Sequence, residues 1–168
     1  MNNEILKRVD NMAEHLRDLH GLHEQLLTVV HGKQRAMRTG DMNGLDSWSA
    51  RERFLIERIE QVDQSRREEA KPLGQLLGLD ENSTLSTLAN HLEEPHRSKL
   101  LALAGAIRGT AEQVYQINQV NDAVTREVLS CFAQMQRQIT SAHCDLGLYD
   151  PNGHKQMGNA VNILDAVG

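Results

Sequence analysis

Apolar residues recur along this chain at alternating intervals of four and three, the spacing that draws one stripe down an α-helix. The longest run joins Leu100, Ala104, Ile107, Ala111, Val114, Asn118, Asn121, Thr125, Val128, Phe132, Met135, Ile139 and Ala142. It predicts a helix over about 95–145, about 75 Å long at 1.5 Å per residue, opened by Glu94-Pro95 with proline in its first turn. The helix stops ahead of Asp150-Pro151-Asn152-Gly153, turn chemistry in which proline presets φ and glycine accepts a positive one.

A second stripe, Ile5, Val9, Met12, Leu16, Leu19, His23, Leu26, Val30, Lys33 and Met37, predicts an N-terminal helix with Gly40 as its C-terminal cap. Asp41 is a good N-cap for a third stripe, Leu45, Trp48, Glu52, Leu55, Ile59 and Val62, which fades into the charged run Arg66-Arg67-Glu68-Glu69. A joint this tight makes the two helices an antiparallel hairpin. Pro72, Gly74 and Gly78 then break the pattern around Leu73, Leu76, Leu77 and Leu79, leaving at most a helical turn or two. Asn82-Ser83 is placed to cap a short helix carrying Leu85, Leu88 and Leu92. No segment reads as a strand. The expected fold is all-α, a long-helix bundle made of the antiparallel hairpin, the long third helix, a short helical insert over 73–92 and a mobile C-terminal tail. Residues 1–148 would form the bundle domain, and 149–168 a turn and a flexible partner-binding tail.

The long stripe contains a conflict. Asn118, Asn121 and Thr125 are consecutive seam positions where a plain packing helix would carry Leu or Val. A buried Asn costs stability but fixes register and partner choice, so the two asparagines either set register through buried hydrogen bonds or contact a partner. Beyond them Val124, Val128, Leu129, Cys131, Phe132, Met135 and Ile139 cover more than one stripe. This part of the helix either has apolar surface to spare for a partner or is buried against the first two helices.

Composition narrows the picture. Aromatic residues make up only 3%, so the core is aliphatic, which suits helix packing and not a sandwich or barrel. Lys+Arg 18 against Asp+Glu 23 gives a net charge of −5 with both signs interspersed, which does not favour nucleic acid. There is no apolar run of membrane-spanning length, and Met1 to Arg8 turns polar before a signal-peptide core forms, so the expected location is cytoplasmic. Cys131 and Cys144 lie on one helix about 20 Å apart, beyond disulfide reach, and read as reduced packing residues.

Candidate chemistry is sparse. His20 and His23 are three apart, but no third ligand at a helical offset completes a metal site, and His-Glu-x-x-His is absent. His96-Arg97-Ser98-Lys99 approaches the pattern around a phosphotransfer-bundle histidine, but Leu100 stands where that pattern needs Gly to keep the imidazole reachable. There is no phosphate loop, nucleophile elbow or Cys-x-x-Cys pair. The arginines at 51, 53, 58, 66 and 67 are interleaved with glutamates and read as helix-surface ion pairs. The expectation is a binding protein without catalysis or cofactor.

Together these pieces resemble the FlgN family of flagellar export chaperones. Gly40-Asp41 followed by Leu45, Trp48, Arg51-Glu52 and Leu55-Ile56, then Leu73 through Leu79 and Ser83-Thr84-Leu85, are similar to its early and middle segments. Ile117-Asn118-Gln119-Val120-Asn121 and Leu148-Tyr149-Asp150-Pro151-Asn152-Gly153 are the more specific matches, and they follow the family's order. The sequence departs from the pattern at Asp122-Ala123-Val124-Thr125, which precedes Val128-Leu129 where members carry an apolar pair sooner. The resemblance implies a cytoplasmic chaperone that binds hook-filament junction proteins through its C-terminal part and delivers them to the flagellar type III secretion apparatus. It also implies that the turn at Tyr149 helps dock on the export gate. The partner-binding residues expected on these grounds are Asn118, Asn121, Val124, Val128, Cys131, Met135, Tyr149, Gly153, Met157, Val161 and Leu164. The last three fall at i, i+4 and i+7, a helix-in-groove spacing. The rival readings are a coiled-coil module that dimerises through the long helix and, more remotely, a phosphorelay bundle using His96.

Overall fold

The structure, a computed structural model, describes residues 3–145, with side chains from 3 to 141. Helix α1 spans Asn3–Thr39, α2 Met42–Leu76, α3 Leu85–Asn90 and α4 His96–Asp145, and the described residues include no strand. The chain divides into two units, Met1–Asn121 and Asp122–Gly168.

In the first unit the joint between α1 and α2 forms as its local chemistry dictates. Gly40 takes φ 68°, the Asp41 N–H donates to Ala36 at 3.0 Å, and the Gly40 N–H reaches Met37 at 3.4 Å. This is the paired bonding of a Schellman ending. Asp41 then caps α2, its carboxylate accepting from the Gly44 N–H at 2.9 Å. The hairpin is antiparallel, with Arg8 paired to Glu69 at 3.1 Å and Lys33 to Glu52 at 2.7 Å. The first part of α4 runs parallel to α1: Lys99 lies 3.5 Å from Asp10, and the Asn121 amide reaches the Val30 carbonyl at 3.3 Å.

Two aliphatic clusters hold this unit together. One gathers Val9, Met12, Ala13 and Leu16 with Leu73, Ala89, Leu92 and Leu100. The other joins Leu26, Val29 and Val30 to Leu55 and Val114, with Trp48 packed alongside. Trp48 explains a glycine inside α1. A Cβ at Gly32 would sit 2.5 Å from the Trp48 indole, so only glycine lets the ring lie against the helix backbone.

Two expectations need correction. First, α2 does not fade near residue 66. It continues through Pro72 to Leu76. A proline inside a helix costs about 3 kcal/mol through the lost N–H bond and the ring clash. Leu73, wholly buried in the first cluster, returns about 1.5–3 kcal/mol by leaving water. The helix end beyond it is fully bonded: Gly78, at φ 71°, donates to Gln75 at 3.1 Å, and Leu79 donates to Gly74 at 2.9 Å. Gly74 also allows the returning chain to pass close, since a Cβ there would stand 3.2 Å from the Asp80 carbonyl. Second, α3 is capped by Thr84, whose hydroxyl accepts from the Thr87 N–H at 3.2 Å, and not by Asn82-Ser83. Leu92 lies beyond the end of α3, yet it is buried in the core. α4 opens at His96, directly after Pro95 and so one residue later than a proline in its first turn would place it, and the Glu94 carboxylate accepts from the Ser98 hydroxyl at 2.6 Å and from its N–H. Those hydrogen bonds hold the Glu94 carboxyl below its ordinary value.

The described part of the second unit is the remainder of α4, Asp122 to Asp145, and every side chain described in it, through Ser141, is exposed.

Candidate functional site

Three helices of the first unit bring polar side chains together where their apolar stripes are interrupted. Lys33 from α1 donates to Glu52 Oε2 at 2.7 Å, and the Asn118 Nδ2 from α4 donates to Oε1 of the same carboxylate at 3.2 Å. Glu52 is buried, and it bridges two helices at once. Asn121, one turn further along α4 and only 2% exposed, donates to the Val30 carbonyl. Asn118 Oδ1 is buried and has no hydrogen-bond partner among the described residues. A buried acceptor left in this state is costly, so the cluster stabilises less than its bond count suggests.

Asn118 and Asn121, expected among the partner contacts, are thus engaged inside the bundle, and Asn121 has almost no surface left to offer. Through them α4 is bonded at one height to both α2 and α1, the kind of buried polar contact that favours one helix register over others.

From Val124 onward the helix is different. Val124, Val128, Leu129, Phe132, Met135 and Ile139 are all exposed, from 36% for Val124 to 62% for Leu129. At about 100° per residue, Val124, Val128, Cys131, Phe132, Met135 and Ile139 fall within an arc of about 100°, the width of an apolar helix face. Leu129 flanks that arc. The charged residues Asp122, Arg126, Glu127 and Arg137 all lie off it. Phe132 and Ile139 belong to this face as fully as Val124, Val128 and Met135, and Leu129 borders it; all three stand in the apolar stretch read from the sequence but not among the partner-binding residues expected from it. Cys131, read as a packing residue, is instead an exposed free thiol, because its unit holds no second helix among the described residues to cover it. Tyr149, Gly153, Met157, Val161 and Leu164 lie outside the described residues.

No group of three or more His, Cys, Asp and Glu among the described residues is placed to hold a metal ion. His23 Nδ1 donates to the Leu19 carbonyl at 2.7 Å, while His20 lies 3.9 Å from Glu24. An open cleft of about 740 Å³ in the first unit is lined by Leu16, Ile59, Asp63, Arg66 and Ile107, among others. Burial there pushes the Asp63 carboxyl up, but the hydrogen bonds and charges of Arg66 and Arg67 together outweigh it and hold the group below its ordinary value. His96, the residue of the phosphorelay reading, has its Nδ1 buried without a hydrogen-bond partner among the described residues.

An aliphatic bundle with a buried polar cluster and an apolar helix face left exposed among the described residues suits binding, and comparison with known proteins agrees. The model of the family described as FlgN protein matches residues 1–156. The chain belongs to the FlgN family. FlgN proteins are flagellar export chaperones, a family not known as enzymatic. YvyG, an uncharacterized protein of Bacillus subtilis (strain 168), is 28% identical to this FlgN-family chain over 118 residues, covering 70% of the chain and 72% of YvyG. No solved structure matches this FlgN-family chain. No helix among the chain's described residues is long and apolar enough to cross a membrane.

Proposed function

We propose that this FlgN-family chain is a cytoplasmic chaperone that holds hook-filament junction proteins and delivers them to the flagellar type III secretion apparatus, with the apolar face of α4 as its principal binding surface. The observation that carries the reading is the uncovered face from Val124 to Ile139 on a helix whose preceding stripe is packed.

Magnitude indicates how much of the work this face does. Six large apolar side chains, each roughly half exposed, release about 1 kcal/mol apiece when covered, about 6 kcal/mol in total before the cost of association. A micromolar complex needs about 8 kcal/mol net. The face alone falls short. The C-terminal segment therefore shares the binding, with Met157, Val161 and Leu164 in cargo capture and Tyr149 and Gly153 at the export gate, as the family resemblance implies.

The test is calorimetric titration of the full chain with a purified hook-filament junction protein. Phe132→Gln and Met135→Gln should each weaken binding about tenfold or more while the far-ultraviolet circular dichroism stays unchanged. Unaltered affinity in both variants would show that the face is not the surface, and failure of the unaltered chain to bind would refute the cargo assignment. The unbroken 4-3 spacing also supports a second reading, a homodimer paired through the same face, which sedimentation of the free chain decides.

A further inference from the structure

From the width of the uncovered face and the way its own stripe is covered earlier, we infer that the face accepts two amphipathic helices of the bound protein side by side, and not one. The inference rests on the reading of this face as a partner-binding surface.

Where the stripe is covered, it is covered by two helices. Between Leu100 and Asn121 the same stripe packs on α1 and α2 together: Asn121 bonds to Val30 on one side, and Asn118 to Glu52 on the other. Leu100 joins the cluster that holds Val9 of α1 and Leu73 of α2, and Val114 the one that holds Val30 and Leu55. The stripe then continues with unchanged spacing through Thr125, Val128, Phe132, Met135 and Ile139, now exposed.

The residues beside the seam agree. A helix that meets a single partner in a two-stranded coiled coil needs only the seam to be apolar, and it carries charges at both flanks to choose its partner. A helix facing two neighbours needs apolar residues at a flank as well. Measured from the 4-3 seam alone, one flank is Val124, Cys131 and Gln138, of which the first two form the edge of the apolar arc, and the other is Asp122, Leu129 and Gln136, outside it. Three of the six are apolar, one on one side and two on the other, and only Asp122 is charged. The partner this face fits is a pair of amphipathic helices recognised by apolar contact, with little call on salt bridges.

The experiment uses the full chain and the junction protein of the previous titration, with the flanks altered one at a time. Val124→Gln and Leu129→Gln keep good helix formers on an exposed helix, so folding is preserved. Two neighbouring helices require that both variants lose affinity, each by about tenfold, with the double variant near a hundredfold, while raising salt from about 0.1 to 0.5 M changes binding by less than about threefold. Sensitivity at one flank only means a single helix and overturns the inference while leaving the cargo assignment standing. So does sensitivity at neither flank when Phe132→Gln still weakens binding. A free chain that sediments as a dimer and dissociates on Leu129→Gln with its affinity for the junction protein unchanged makes a second copy the occupant, which also overturns it. If the unaltered chain does not bind the junction protein, the inference falls together with the cargo assignment.

Discussion

Removing the Glu52 carboxylate tests the polar cluster most directly. In Glu52→Ala the charge-assisted bond from Lys33 at 2.7 Å and the bond from Asn118 at 3.2 Å disappear together. A hydrogen bond to a charged group contributes about 1.5–3 kcal/mol, and stripping one partner from a fully buried ion pair costs about 3–5 kcal/mol. Lys33 keeps 23% of its side chain exposed, so its ammonium swings out to water along its flexible stem and avoids part of that penalty. Asn118, itself half-buried, loses the bond its Nδ2 makes, while its Oδ1 already has no hydrogen-bond partner among the described residues. The net loss should be about 2–3 kcal/mol, a fall in melting temperature of about 4–12 °C for a chain of this size. Urea denaturation followed by circular dichroism reads it. A change under about 0.5 kcal/mol, the scale of an ordinary surface substitution, would refute the claim that this carboxylate ties α1 to α4.

A rescue variant separates unpaired polar groups from lost packing. Lys33→Met, Glu52→Leu and Asn118→Leu made together replace the cluster with aliphatic volume, and buried ionic groups exchanged in this way are commonly neutral to 1–4 kcal/mol stabilising, by about that range here. Stability at or above that of the unaltered chain is expected. If the triple variant is as weak as Glu52→Ala, the loss comes from packing and not from unpaired polar groups.

Further outcomes follow from single sites. Gly32→Ala should destabilise by about 1–3 kcal/mol, because the new Cβ meets the Trp48 ring, whereas Gly21→Ala, with nothing within 4 Å, should stabilise by about 0.5–1 kcal/mol; thermal melts of both decide this. The depressed Asp63 carboxyl contributes stability that is present above its unfolded-state value and lost as pH falls through the lower folded value. Asp63→Asn should therefore flatten the acid limb of the stability curve below about pH 4 and leave its shape near neutrality unchanged, as unfolding series across pH will show. Asp41→Ala removes the cap on α2 and should cost about 0.5–2 kcal/mol by urea denaturation.

What could be read from the sequence divides along one physical line. The α1–α2 joint was legible because Gly40 and Asp41 act on neighbours within a few residues. The extension of α2 through Pro72 was not, since the cost of the proline is local while the compensation, Leu73 buried against Val9 and Met12, comes from residues some sixty positions away. The polar cluster illustrates the same limit. Lys33, Glu52 and Asn118 each show up as a break in their own stripe, yet nothing along the chain says that the three breaks meet.

The reason lies in the stripe itself. A 4-3 pattern repeats every seven residues, so sliding one helix past another by about 10.5 Å leaves the apolar contacts almost as good as before. Spacing therefore specifies which face is buried and leaves the height of one helix against the next undetermined. Polar residues remove that degeneracy, because a carboxylate and an amide that miss each other by one heptad are both buried unpaired. The stripe is equally silent about cover. Val114 and Val128 occupy the same kind of seam position, yet one is 8% exposed and the other 47%. A seam that stays apolar through Ile139, where the described residues of its own unit leave it bare, is maintained against the cost of showing oil to water. On the proposed reading, what covers it is a second molecule.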